Sequence, residues 1–331
     1  MDTLLKAVIA SLVAFVLVAA AALVALNQNH GTGGIPEPYK GVALTPRSFQ
    51  GEDFSEFLEL QGEIGEVVSW AGDWAELGEE DGTPAVLVGL ADANHYIPVV
   101  EAQIFDASTG ALLRPLNDAN KARYVEWAGD FCAEYEPPYL ALGIEINILH
   151  EKSQTDYETF VDLFAETYDS VKAVSPDTEV FTIFQYERLK GLKGGLFGGE
   201  NGSGEWELLD DFPDADLAGF TTYPCLVYRD PAEIPSDYYS IIDESTDKRI
   251  AFTEVGWHAS AEPAGWVSDG GEQARFVRRF FDIAVHDNTE MAVWAFMFDH
   301  PGAPVPFDSM GLRTQAGEAR QSWGAWKEAW P

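Results

Sequence analysis

The sequence is poor in basic residues and in cysteine, and each shortage excludes certain partners or kinds of site. Lys and Arg number 20 against 55 Asp and Glu, which gives a formal net charge of −35 at pH 7. A surface with this charge repels nucleic acid and anionic lipid headgroups, so nucleic acid is excluded as a partner. Cys132 and Cys225 are the only cysteines. Two cysteines far apart in the sequence are too few for a disulfide framework or a cysteine-rich zinc site. We interpret Cys132 and Cys225 as small buried apolar side chains.

The acidic residues are spread along the whole chain and are not gathered in one tail. This pattern is typical of proteins from salt-loving microbes, in which surface carboxylates stay hydrated and concentrated salt screens their mutual repulsion. An acidic protein from an ordinary organism is the alternative interpretation. The hydrophobic content of 46% is ample for a large core. The charge distribution therefore predicts a high-salt environment, but it does not indicate a function.

Long hydrophobic runs are lacking except near the beginning of the chain. Ala7 to Leu26 is uncharged, almost wholly apolar and long enough to cross a bilayer as a helix. We predict a membrane anchor or signal segment over residues 1–26, and favour an uncleaved anchor because cleaved signals usually have a shorter apolar stretch. Residues 27–38 are polar and rich in glycine, which predicts a flexible tether. Whether the segment is an uncleaved anchor or a cleaved signal, we expect the rest of the chain on the extracellular face, membrane-anchored or secreted.

From Tyr39 onward, short apolar runs alternate with amphipathic helical patterns, as expected for β/α units around a parallel sheet. The predicted strands are residues 40–46, 66–72, 85–91, 139–147, 179–186, 217–224, 249–256 and 291–298. The clearest predicted helices are residues 119–135, 155–174, 271–286 and 315–330. Eight units of about 37 residues fit one barrel better than two domains. The predicted fold is α/β, a single (β/α)8 TIM barrel over residues 39–331, preceded by an N-terminal transmembrane or signal helix.

Two of the predicted strands carry a Glu near the end of an otherwise apolar run. These are Glu145 in "LGIEIN" on the fourth strand and Glu254 in "AFTEVGW" on the seventh. In a barrel the carboxyl ends of the strands converge on one face, where barrel enzymes have their active sites. Two carboxyl groups across that face suit glycoside hydrolysis, in which one donates a proton while the other stays ionised and attacks. Charge on Glu254 is expected to raise the pKa of Glu145.

These motifs resemble those of the A clan of glycoside hydrolases, retaining enzymes with a (β/α)8 barrel. The resemblance implies that Glu254 is the nucleophile and Glu145 the acid/base. It implies that Tyr223 in "TTYP" hydrogen-bonds the nucleophile and that Trp294 in "AVWAF" forms the floor of the sugar site. The clan usually has Asn immediately before the acid/base, whereas this chain has Ile144. The side chain at this position therefore has no polar group for the sugar 2-hydroxyl.

Further residues at strand ends are candidate sugar contacts. Trp257 and Trp70 suit stacking against sugar rings, although each is also compatible with the core. Asn147 and Gln185 are candidate partners of sugar hydroxyls, with a structural role as the alternative.

Two functions remain open from the sequence. The first is a glycoside hydrolase that cleaves O-glycosidic bonds of a poly- or oligosaccharide by a retaining mechanism. It needs no cofactor and no metal, and no zinc-protease motif or serine nucleophile elbow is present. The alternative is a cell-surface barrel that binds glycans without cutting them, which Ile144 favours. Both imply a carbohydrate partner and membrane contact through the N-terminal segment, and neither determines the oligomeric state.

Overall fold

The computed structural model describes residues 38–286 and 288–329. The predicted anchor or signal segment and residues 27–37 of the predicted tether lie outside the described residues. Within the described ranges, no helix is both long and apolar enough to cross a membrane.

Eight parallel strands form a closed barrel in which each strand pairs with the next and β8 pairs with β1. The strands are β1 (Tyr39–Ala43), β2 (Val67–Asp73), β3 (Ile97–Gln103), β4 (Tyr139–Leu142), β5 (Glu179–Gln185), β6 (Leu217–Thr222), β7 (Arg249–Val255) and β8 (Thr289–Trp294). The predicted single (β/α)8 barrel is therefore confirmed.

Helices follow the strands along the described part of the chain. They are α1 (Gly51–Gln61), α2 (Thr83–Asn94), α3 (Asp118–Tyr135), α4 (Ile146–Lys152), α5 (Gln154–Val174), α6 (Tyr186–Leu189), α7 (Ile241–Ser245), α8 (Gly270–Ala284) and α9 (Gln321–Glu328). Asn117, Ser153 and Asp269 precede α3, α5 and α8, and each accepts a hydrogen bond from a backbone N–H of the first turn, as helix caps do. The apolar face of α8 packs on the barrel, where Phe280 contacts Phe252 of β7.

The prediction for the third strand was wrong. Residues 85–91 lie in α2, which has Pro84 in its first turn and buries Leu87 and Ala91. The third strand is β3, which lies between the predicted strand at 85–91 and the predicted helix at 119–135. A short apolar run does not distinguish a buried helix from a strand. Conversely, β3 contains Pro98 and Glu101, two residue types that are rare inside a buried strand.

Both cysteines are free and buried, which agrees with their interpretation as small apolar side chains. Burial raises the pKa of the Cys132 thiol to about 12. A thiol held protonated in this way is a poor nucleophile.

Candidate active site

Glu145 lies just beyond the end of β4, not within the strand as predicted. It occupies the residue before α4 with φ of 55° and ψ of 39°, in the left-handed region. A residue with a side chain is strained there by about 1–2 kcal/mol, and such strain concentrates at functional sites. The carboxylate accepts a hydrogen bond of 2.7 Å from the hydroxyl of Thr221 on β6.

Glu254 is the penultimate residue of β7, and a bulge decides where its side chain points. In the pairing with β6, Phe252 lies opposite Phe220 but Glu254 lies opposite Thr221, so Thr253 is an extra residue. Phe252 points outward and packs against α8. Without the bulge, Glu254 would point outward as well, because alternate residues of a strand share a face. The extra residue turns Glu254 to the inner side of the barrel, alongside Thr221.

Strand β6 and the residue that follows it hold both carboxyl groups. Thr221 donates to Glu145, and Tyr223, two positions on, donates its hydroxyl hydrogen bond to Glu254. The side chains of Thr221 and Tyr223 lie on the same side of the chain because the two residues are two positions apart. The predicted contact between Tyr223 and the Glu254 carboxylate is thus present in the structure.

Another buried carboxylate, that of Glu187, orders the chain segment around Tyr223. Glu187 is fully buried and accepts hydrogen bonds from the Thr222 hydroxyl at 2.7 Å and the Tyr223 backbone N–H at 3.1 Å. The side-chain amide of Gln185 donates to it at 2.6 Å and the hydroxyl of Tyr238 at 3.2 Å. These four donors fix the turn that presents Tyr223 to Glu254.

The two carboxyl groups of the site differ in their electrostatic surroundings. Burial and, to a lesser degree, the negative charge of Glu254 raise the pKa of Glu145 to about 7, against the opposing effects of Thr221 and Arg188. Burial also raises the pKa of Glu254, whereas the hydrogen bond from Tyr223 lowers it by stabilising the ionised form. The expected influence of Glu254 on Glu145 is present, but burial is the larger cause. Near neutral pH, a proton is therefore available on Glu145.

A cavity of about 370 Å³ opens beside Glu145. Its polar walls are formed by Glu145, Tyr223, Gln185, Arg188 and Ser108. Its apolar walls are formed by Ala107, Ile148, Leu196, Phe197, Leu226, Pro263, Val305, Pro306 and Phe307. The volume is within the range of small-molecule sites, and an apolar lining with a few polar groups is their usual composition. Glu254 does not line this cavity but is partly exposed and is bound to its wall through Tyr223.

The tryptophans predicted as sugar platforms lie in the core, which corrects that prediction. Trp257 and Trp294 are 0% exposed, and Trp70 is 6% exposed. Trp257 stacks on Phe276 of α8 with a centroid separation of 4.9 Å and donates to Ser268. Trp294 donates to the Met310 carbonyl at 2.9 Å. Rings packed in this way have no face left for a sugar.

Asn147 and Gln185 are buried, and their polar atoms are used within the protein. The Asn147 amide donates to the Gln185 carbonyl at 3.0 Å, and its oxygen accepts from the Gln185 backbone N–H at 2.8 Å. Asn147 therefore ties α4 to the end of β5, and at 0% exposure it cannot be reached by a sugar hydroxyl. Gln185 lines the cavity, but its amide is engaged by Glu187 and by the backbone N–H of Arg188. Ile144, 7% exposed, adds no polar contact.

Several cavity residues were not anticipated from the sequence. Arg188 lies just after β5, with its guanidinium 4.8 Å from the Phe197 ring centre, and it forms a 2.7 Å ion pair with Glu151. Phe307, in the loop after β8, packs edge-on against Tyr223 with centroids 5.0 Å apart. Phe197 and Phe307 line the cavity, whereas none of the three predicted tryptophans does. The only signal in the sequence was their position in loops after strands, on the catalytic face of a barrel.

Comparison with solved structures identifies the class of fold. The chain aligns with an exo-β-1,4-mannosidase, Op5Man5, from Opitutaceae bacterium strain TAV5, with a TM-score of 0.63 and 14% identity over 90% of this chain. A GH5_18 protein from Streptomyces cattleya, solved in complex with GlcNAc, aligns with a TM-score of 0.65 and 14% identity over 89% of this chain and 80% of its own. Xylanase 10B from Thermotoga maritima aligns with a TM-score of 0.59 and 12% identity over 88% of this chain and 94% of its own.

At this level of identity the comparison shows a shared fold, which in this chain is the (β/α)8 barrel. The chain spans 60% of the length of the mannosidase. No protein-family model and no curated protein sequence matches the chain.

Proposed function

We propose that this protein is a retaining glycoside hydrolase that cleaves O-glycosidic bonds of a poly- or oligosaccharide. The observation that carries the proposal is the carboxyl pair joined through β6, in which Thr221 donates to Glu145 and Tyr223 donates to Glu254. Burial raises the pKa of Glu145 to about 7, so that part of it carries a proton near neutral pH. Retaining hydrolysis requires one carboxylic acid and one carboxylate at the same anomeric centre. The fold shared with glycoside hydrolases supports the same assignment.

In the first step, Glu145 donates its proton to the glycosidic oxygen while the carboxylate of Glu254 attacks the anomeric carbon. The bond to the leaving group breaks, and an ester between the sugar and Glu254 forms. In the second step, the Glu145 carboxylate takes a proton from water, which attacks the same carbon and frees Glu254. Glu145 ends protonated, ready for the next cycle. Phe197 and Phe307 contribute apolar faces for the sugar rings.

The test measures hydrolysis of a panel of polysaccharides and aryl glycosides, with Glu254→Gln as a matched variant. We expect loss of turnover in that variant, because an amide cannot form the ester. Glu145→Gln should lose far more activity on substrates with poor leaving groups than on aryl glycosides with good ones, which do not need a proton. NMR of the first-formed product should show the substrate's anomeric configuration. Inverted product, or unaffected turnover in Glu254→Gln, contradicts the mechanism.

The alternative is a barrel that binds glycans without cutting them. Ile144 in the position of the usual Asn favours it, as does the complete burial of Asn147. This function is identified if no substrate of the panel is hydrolysed and the wild type and Glu254→Gln bind glycans equally well.

We also propose that the barrel works on the extracellular face, anchored or secreted through residues 1–26, in concentrated salt. The apolar run and the net charge of −35 support these two proposals. Unfolding followed against salt concentration tests the second, because salt that screens surface repulsion should raise the unfolding midpoint.

A further inference from the structure

A third carboxyl group lies inside the barrel and has no part in the mechanism above. Glu101 is 0% exposed in the middle of β3, where it pairs in register with Ala71 of β2 and Ala141 of β4. Neither of its oxygens has a hydrogen-bond partner among the described residues. The hydroxyls of Ser69 and Thr253 are buried and equally without a partner. Buried polar groups in native proteins are usually paired, so three such groups in one barrel interior require an explanation.

The surroundings of Glu101 disfavour a charge. Burial raises the pKa of Glu101 well above its ordinary range, and the negative charge of Glu254 on β7 raises it further. The two groups that oppose this shift are the hydroxyls of Ser69 on β2 and Thr253 on β7, which are neutral. An ionised carboxylate without a cation or a full set of donors is too costly in a protein core, and such a group stays protonated. A protonated carboxyl has one donor and one acceptor, which match the two hydroxyls.

We propose that Glu101 is an uncharged carboxylic acid that holds the β7 bulge through Thr253 and thereby positions Glu254. Thr253 is the extra residue of the bulge, and the bulge turns Glu254 toward the inside of the barrel. The Thr253 hydroxyl lowers the pKa of Glu101, so the two side chains are close to each other in the barrel interior, one from β3 and one from β7. The positioning role rests on the proposed function, in which Glu254 is the nucleophile. The uncharged state of Glu101 does not rest on it.

Glu101→Gln tests the uncharged state without any substrate. The amide has nearly the same shape, keeps a donor and an acceptor, and cannot ionise. Urea unfolding of the wild type and this variant is followed from pH 4 to pH 8. Above about pH 4.3 the glutamate ionises in the unfolded chain but not in the folded one. The folding equilibrium constant of the wild type should therefore fall relative to that of the variant by about tenfold per pH unit, until the folded pKa is reached.

Glu134→Gln is the matched control, because it removes one carboxylate from the exposed surface of α3. Its comparison with the wild type shows how much of the pH dependence comes from overall charge. Two outcomes overturn the uncharged state. In the first, the stability of Glu101→Gln depends on pH in the same way as that of Glu134→Gln. In the second, the wild type gains stability relative to Glu101→Gln as pH rises.

The positioning role is tested by kinetics once a substrate is known. Glu101→Gln should keep kcat and leave the acid limb of the pH profile in place, because it replaces one neutral group by another. Glu101→Leu removes the polar group that faces Thr253 and should lower kcat by about 10- to 100-fold with little change in KM, as expected for a misplaced nucleophile. Equal kcat in wild type and folded Glu101→Leu, or a downward shift of the acid limb in Glu101→Gln, refutes the role. If the wild type is inactive, the proposed function fails while the unfolding experiment still decides the charge of Glu101.

Discussion

Thr221→Val isolates one hydrogen bond of the carboxyl pair. The substitution replaces a hydroxyl by a methyl group of similar shape and removes the 2.7 Å donor to Glu145. That hydrogen bond favours the ionised form and lowers the pKa of Glu145. Hydrogen bonds to charged groups contribute about 1.5–3 kcal/mol, and about 1.4 kcal/mol corresponds to one pKa unit. Because Glu145 also has contact with water, we expect the lower end, a rise from about 7 to about 8.

The assay is kcat/KM against pH on a substrate with a poor leaving group. Activity should fall as pH rises through the pKa of Glu145, because the proton donor is lost. In Thr221→Val this basic limb should move to higher pH by about one unit. Thr222→Val is the control, since its hydroxyl donates to Glu187 and not to Glu145. A basic limb that stays in place or moves to lower pH in Thr221→Val refutes the role of Glu145 as the acid.

Three further substitutions test the remaining parts of the site. Tyr223→Phe removes the donor to Glu254, so the pKa of Glu254 should rise and the acid limb of kcat/KM should move to higher pH; an unmoved limb contradicts that contact. Phe307→Ala should raise KM by roughly 2- to 10-fold, equivalent to about 0.5–1.5 kcal/mol for an aromatic contact, with kcat retained; unchanged KM removes it from the sugar site. Trp257→Ala should lower the free energy of unfolding by about 3–5 kcal/mol in urea titrations, as for a core aromatic; a loss below about 1 kcal/mol indicates a surface ring.

The barrel and its carboxyl pair were predictable because their signals are local. Strand-length apolar runs alternating with amphipathic helices specify β/α units, and the carboxyl ends of parallel strands meet on one face. A Glu near the end of such a run is conspicuous because a charge there is costly. Glu145 and Glu254 could therefore be found from the sequence. The position of β3 could not be found from the sequence. Pro98 and Glu101 are unusual in a buried strand, and the apolar run in α2 has the length and composition of a strand.

The sequence by itself determined the fold class, the acidic surface and the two carboxyl groups on which the proposed chemistry depends. Tertiary structure alone decided which way the side chains point. The bulge at Thr253 turns Glu254 inward, and a one-residue shift in register leaves no trace in an apolar pattern. Packing of α8 buries Trp257 against Phe276, so an aromatic ring near a strand end became core and not a sugar platform. Contacts between residues distant in sequence decide such outcomes, and local sequence patterns do not report them.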